Sequence, residues 1–331
     1  MTMAFRPMEG ASLTRSASGL KNESQQPCTV ALIGAPVEEG AGVPGCGMGP
    51  SALRIAGLSR ALSALGHDVT DKGNLTPDAM PGFTLPGRAR NAETIAGWTR
   101  AIARTTLAAF EEGAFPLLLG GDHSLAMGSV SAAARHAATQ ERPLFVLWLD
   151  AHADFNTPST SPSGNMHGMP VAFFCGWPGF EGILPDTRAM VTPQRVTLFG
   201  VRSIDADERR LVRKAGIAVH DMRDLDEFGI VPLTRSFLER VAAENGMLHV
   251  SLDVDFLDPA IAPGVGTTVR GGATYREAHL LMELLCDSDL VTSMDLVELN
   301  PFLDERGASA LLLSELVASL FGQQIFDKTA R

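Results

Sequence analysis

LFVLWLDAHADFNTPSTSPSGNMHGMP, residues 144–170, decides the fold. Six apolar residues run without interruption into Asp150-Ala151-His152-Ala153-Asp154. A short apolar run with no polar alternation is what a strand covered on both faces requires, and that is a strand of a parallel sheet. In such sheets, ligands bind beyond the carboxyl ends of the strands. The acids and the histidine stand at that end.

Working outward, the same grammar repeats. VALIGAP (30–36), FPLLLGG (115–121), RVTLFGV (195–201), LHVSLDV (248–254) and LVTSMDLVEL (290–299) read as strands, with weaker ones at HDVTDKG (67–73) and GIAVHDM (216–222). The spacers carry apolar residues at three- and four-residue spacing and read as helices over 51–66, 92–113, 206–215, 233–245, 274–287 and 307–322. Regular strand–helix alternation implies α/β architecture with a parallel sheet. No Pro/Ser linker and no repeat divides the chain. One domain of about eight strands is therefore expected over 28–325, between a mobile polar tail at 1–27 and a short tail at 326–331.

Composition narrows the classes. At 331 residues with 45% apolar and 20% charged residues, the chain resembles an ordinary globular protein and can bury a large core. A net charge of −11 with no dense Lys/Arg run argues against nucleic acid as a partner. No stretch is long and apolar enough to cross a membrane. The N-terminus lacks the apolar core of a signal peptide, and Glu9 and Glu23 count against a transit peptide, so a cytoplasmic location is expected. Cys28, Cys46, Cys175 and Cys286 form no CxxC pair and read as free thiols. GAGVPG (40–45) fits a dinucleotide-binding spacing, but Pro44 interrupts the turn and the next helix begins too late; it reads as a Gly-rich loop near the site mouth.

The chemistry gathers after the strands. FPLLLGG leads into Asp122-His123-Ser124, LHVSL into Asp253-Val254-Asp255, and LVTSMDLVEL contains Glu298. In extended chain alternate side chains share a face, so Asp150, His152 and Asp154 can enter one pocket, as can Asp253 and Asp255. Each pair alone reads as a turn or a helix cap. Four aspartates and two histidines converging without a cation would repel one another and be costly to bury, which points to metal binding. Two divalent ions would neutralise four aspartates, with some bridging and a hydroxide between the ions. Oxygen-rich ligation favours Mn or Mg over Zn, and the two imidazoles tilt the choice toward Mn. Two metals about 3.5–4 Å apart can acidify and orient a bridging water.

With these motifs in place the sequence resembles the ureohydrolase family, its arginase branch above all. The resemblance rests on GGDHS (120–124), residues 150–170, SLDVDFLDP (251–259), GGATYRE (271–277) and MDLVELNP (294–301), and spans about residues 29–322. It implies a three-layer αβα fold around an eight-stranded, mainly parallel sheet and a two-Mn2+ centre. One ion would be held by His123, Asp150, Asp154 and Asp253, the other by His152, Asp150, Asp253 and Asp255. It implies hydrolysis of L-arginine to L-ornithine and urea by a metal-bridging hydroxide. Glu298 would orient the guanidinium, Asp154 would relay a proton and His167 would shuttle protons.

Ser163, Asn165 and His167 match the S-x-N-x-H pattern of the branch that acts on arginine. Asn156 and this loop would hold the α-carboxylate, Asp205 and Glu208 would neighbour the α-ammonium group, and Thr267 joins the substrate contacts. Ser203 stands where many members of that branch carry a second acid. Arg276 and Glu277 match residues that pair between subunits, and a homotrimer or homohexamer is expected. The rivals are an agmatinase or guanidinobutyrase of the same family, a deacetylase-like amide hydrolase and an arginine-binding sensor. The only tyrosine, Tyr275, lies in TYRE, which counts against the deacetylase-like reading.

Overall fold

The computed structural model describes residues 27–184 and 190–324. Residues 1–26 and 325–331, where the two tails are expected, lie outside the described residues. All eight predicted strands form: β1 Thr29–Ala35, β2 Asp68–Asn74, β3 Phe115–Gly120, β4 Leu144–Leu149, β5 Val196–Val201, β6 Ala218–Asp221, β7 Met247–Asp253 and β8 Val291–Val297. They make one sheet in the order β2-β1-β3-β8-β7-β4-β5-β6, with every pairing parallel.

Ten helices accompany them among the described residues: α1 Gly49–Ile55, α2 Leu58–Ala64, α3 Ala92–Glu111, α4 Ala126–Thr139, α5 Pro170–Phe174, α6 Ala206–Ala215, α7 Met222–Phe228, α8 Ile230–Ala243, α9 Tyr275–Ser288 and α10 Ala308–Leu320. The sheet divides the interior in two because successive strand residues face opposite ways. Ile33, Leu118, Val146 and Trp148 pack with Ile95, Trp98 and Ile102 of α3 and Val130 of α4. Leu32, Leu117, Leu119 and Leu147 pack with Leu62 of α2, Phe237 of α8, Leu281 of α9 and Leu313 of α10. The result is the expected three-layer αβα sandwich.

The helices differ from the sequence reading in one expected helix that is split and in α4, α5 and α7, which that reading did not contain. The single helix over 51–66 is two, because Gly57 takes φ +88 between α1 and α2 and ends the helical path. Helix α4 has no counterpart in the periodicity. It is rich in alanine and buried from Ala126 to Ala134, so it shows no polar stripe to mark it.

The strand order positions the site. β3, β8, β7 and β4 are neighbours in the middle of the sheet, and the loops after them carry His123, Glu298, the Asp253–Asp255 pair and the Asp150–Asp154 run. Gly120 and Gly121 at the end of β3 are dictated by space. A Cβ on Gly121 would fall 1.8 Å from the Val37 carbonyl oxygen, and one on Gly120 would fall 2.5 Å from that of Leu296.

Candidate metal centre

His123 lies just past β3, and its imidazole stacks on Trp148 with ring centroids 3.9 Å apart. Its Nε2 is 2.9 Å from Ser251 Oγ. Its Nδ1 faces three carboxylates: Asp150 Oδ2 at 3.1 Å, Asp253 Oδ2 at 3.1 Å and Asp154 Oδ2 at 3.3 Å. His152 Nδ1 lies 3.1 Å from Asp255 Oδ2 and 3.4 Å from Asp150 Oδ1. Two sets of ligand atoms each fall within 4.8 Å of one another: His123, Asp150 and Asp253, and Asp150, His152 and Asp255. Asp150 belongs to both. Asp253 enters the first set only, while Asp154 joins through its approach to His123.

The local chain explains why the acids point inward. Asp150, Asp253 and Asp255 are each oriented by hydrogen bonds from nearby donors. Asp150 accepts the His152 N–H at 2.7 Å and the Trp148 indole N–H at 2.9 Å. Asp253 Oδ1 accepts the Asp255 N–H at 2.8 Å, and Asp255 Oδ1 the Ala151 N–H at 3.0 Å. Thr267 donates its hydroxyl to Asp255 Oδ2 at 3.0 Å. Asp154 and Glu298 adopt φ +50 and +63, a left-handed backbone that costs non-glycine residues on the order of 1–3 kcal/mol and clusters at functional sites.

Electrostatics describe the same crowding. Burial, then the charge of Asp150, pushes Asp154 well above the ordinary carboxylate range. Burial, then Asp255 and Asp150, does the same to Asp253, and burial with Asp150 raises Asp255. Asp150 moves the other way: burial opposes its charge, but hydrogen bonds to His123 and His152 hold its pKa down. Burial opposes a charge on His152 too, yet its bonds to Asp150 and Asp255 push it up to about 12. One imidazole N–H cannot serve three carboxylates at once. A cation can, and this hard, oxygen-rich donor set with imidazole fits a pair of divalent ions sharing Asp150.

Beside this cluster, His167 Nδ1 is 2.8 Å from Glu298 Oε1, which also accepts the His123 N–H at 2.9 Å. Burial works against a charged His167, but Glu298 outweighs it and raises its pKa. Glu298 in turn sits below its ordinary value: burial opposes this, and the charge of His167 prevails.

The expected substrate residues are less uniform in place. Asn156 is buried, its Oδ1 accepting the Thr160 hydroxyl at 3.0 Å. Exposed Ser163 and half-buried Asn165 form the turn leading to His167, with Ser163 Oγ accepting the Asn165 N–H at 3.1 Å. Asp205 is exposed at the start of α6. Glu208 is buried and accepts the Phe155 N–H at 2.8 Å, so it shapes the loop after Asp154. Burial raises its pKa to about 7 against these backbone bonds.

Four supports escaped the sequence reading. Trp148 looked like packing, yet it holds both Asp150 and His123. Ser251, on β7, backs His123 from two strands away. Buried Asp122 accepts the Gly40 N–H at 2.8 Å and the Ser124 N–H at 2.9 Å, tying the glycine loop to the site. Arg202, just after β5, donates to the carbonyls of Asp255 and Leu257 and to those of Val269 and Arg270. An arginine directly after an apolar strand was the available signal.

The comparisons agree with this geometry. A sequence model described as the arginase family matches residues 28–322. The chain is 51% identical to an arginase of Agrobacterium fabrum, over 97% of this chain and 98% of the relative. It is 54% identical to an arginase of Brucella melitensis, over 90% of this chain and 97% of the relative. The crystal structure of the arginase from Bacillus caldovelox superposes with a TM-score of 0.84 at 40% identity, covering 90% of this chain and all (100%) of that one. With five motifs in order, one parallel sheet and matching relatives along nearly its whole length, this chain belongs to the arginase family.

Proposed function

We propose that the chain hydrolyses L-arginine to L-ornithine and urea with two Mn2+ ions bound at the Asp150-centred cluster. One observation carries the reading: two His/Asp groups sharing Asp150 lie beside the Glu298–His167 pair, at the end of the Ser163–Asn165 turn. His123, Asp150, Asp154 and Asp253 would hold one ion, and His152, Asp150, Asp253 and Asp255 the other. Ions of this class acidify water and draw electron density from the carbon under attack.

The chain's own residues supply the rest. Glu298 stays ionised and, among the described residues, carries hydrogen bonds on Oε1 alone, which leaves Oε2 for a planar guanidinium. His167, its pKa raised by Glu298 against burial, can carry a proton and pass it to the departing amine. Asp154, held above the ordinary carboxylate range, can accept and relay a proton. The neutral donors of Asn156, Ser163 and Asn165 suit an α-carboxylate, and exposed Asp205 suits the α-ammonium group. Glu208 serves the ammonium end through the loop it positions. Thr267 acts by orienting Asp255.

Steady-state rates on L-arginine, agmatine and 4-guanidinobutyrate test the substrate. We expect kcat/KM for arginine to exceed the others by about a hundredfold or more, since a polar site rejects a ligand that leaves its donors unpaired. A preference for agmatine or guanidinobutyrate would overturn the reading of the turn and leave the metal chemistry standing. A cytoplasmic enzyme is part of the proposal, because cysteines outside any disulfide suit a reducing compartment. A homotrimer or homohexamer belongs to it as well, and light scattering distinguishes these from a monomer.

A further inference from the structure

A second stretch of chain lines the outer side of the Ser163–Asn165 turn. The Arg88 N–H donates to the Pro158 carbonyl at 2.6 Å and the Arg90 N–H to the Gly164 carbonyl at 2.8 Å. Arg88 Nη1 adds a bond to the Pro162 carbonyl at 3.1 Å. Glycine permits the approach: Gly87 and Gly164 both take φ +79, and a Cβ on Gly87 would lie 2.5 Å from the Pro158 oxygen. An open surface recess follows this seam between Arg88–Arg90 and Pro162–Ser163.

Arg90 reaches across the turn. Its Nη1 donates to Asn165 Oδ1 at 3.4 Å. A carboxamide has one accepting end and one donating end, so fixing Oδ1 on an arginine decides where the donors go. Asn165 Nδ2 is turned toward Gly42, where an added Cβ would fall 2.8 Å from it. The same glycine loop receives the His167 N–H on the Gly40 carbonyl at 3.2 Å. The donating end of Asn165 and the His167 backbone thus meet the same glycine loop, two residues apart. Neither Arg88 nor Arg90 has a carboxylate partner among the described residues. Two cations without an ion-pair partner among the described residues border the turn expected to meet an anion.

We propose that Arg90 is a positioning and specificity-determining residue for the carboxylate end of the substrate. Its hydrogen bond holds Asn165 with N–H groups presented, and its charge favours a guanidino compound carrying a carboxylate over one whose far end is bare. This rests on Asn165 being a carboxylate contact. Arg90 lies outside the S-x-N-x-H pattern and more than seventy residues before it, and only the fold brings the two together.

The test uses the manganese-loaded enzyme and two variants, Arg90→Met and Asn165→Ala. KM and kcat for L-arginine are measured beside the inhibition constant of agmatine, which is arginine without its carboxylate. For Arg90→Met we expect KM for arginine to rise about tenfold with kcat within about twofold, while agmatine moves less than about twofold. An unchanged KM for arginine, or equal weakening of both compounds, would overturn the proposal, the second because a merely loosened loop treats both alike. Asn165→Ala separates the two readings. If it weakens arginine and Arg90→Met does not, the Arg90 assignment fails alone. If neither does, the reading of the turn fails with it.

Discussion

The aspartates of this site are divided between two tasks. Asp150, Asp253 and Asp255 each accept a backbone N–H from the same group of loops, which fixes the carboxylate plane and aims oxygen at the pocket. The pattern explains why D-x-H-x-D and D-x-D work as units. The backbone N–H two residues on, or across the neighbouring strand, is the anchor. Alternation along extended chain made those candidate ligands legible in the sequence. The Asp154 and Glu298 backbones were not, because a left-handed conformation has no signal in residues of ordinary type. A consequence concerns protons. Asp154, Asp253 and Asp255 lie above their ordinary carboxylate values, and His123 and His152 above the ordinary imidazole value. A group with a raised pKa keeps its proton to higher pH, and each must lose it to accept a cation. Metal binding should therefore release protons and tighten as pH rises, by about tenfold per pH unit for each proton released. Titration calorimetry of Mn2+ into stripped protein, at pH 6 and 8 in buffers of different ionisation enthalpy, measures this. An affinity independent of pH would contradict it.

At the scale of elements, strand ends do the chemistry and the segments behind them hold it in place. Apolar runs declared the six inner strands, since burial on both faces writes itself as uninterrupted hydrophobicity, while the exposed or half-buried edge strands β2 and β6 carried a weaker signal. Helices were legible where one face meets water, as in α3 and α9. Burial on nearly all sides hid α4, and Gly57 broke a helix whose apolar spacing continues through it. Arg202 shows what motif reading leaves out. It is half-buried, its Nη2 is 2.8 Å from the Val269 carbonyl, and it ties the loop after β7 to the one that carries Thr267. Arg202→Met should leave several carbonyls unpaired and loosen Asp255. We expect a lower melting temperature together with Mn2+ affinity weakened about tenfold or more, in keeping with the usual cost of losing an outer support of a metal ligand. Unchanged metal affinity in a folded Arg202→Met variant would show that the clamp serves the fold alone.

The whole molecule is built so that distant segments meet in one place. His123 and Glu298 are 175 positions apart, yet the His123 N–H bonds the Glu298 carboxylate. That meeting follows from β3, β8, β7 and β4 lying side by side. The sequence announces each strand and each motif, but hydrophobic pattern carries no information on strand order, which only the folded sheet displays. Orientation of single side chains, Asn165 against Arg90 among them, waited for the fold. The molecule carries a net charge of −11, and Asp150, Asp253 and Asp255 gather with His123 and His152 in groups that could hold cations. The most direct test follows urea release from L-arginine while metal-stripped protein is titrated with Mn2+. The account predicts no turnover without metal and a rise that saturates at two ions per chain. Full activity in the stripped protein, or two bound ions with no urea from arginine, would contradict it.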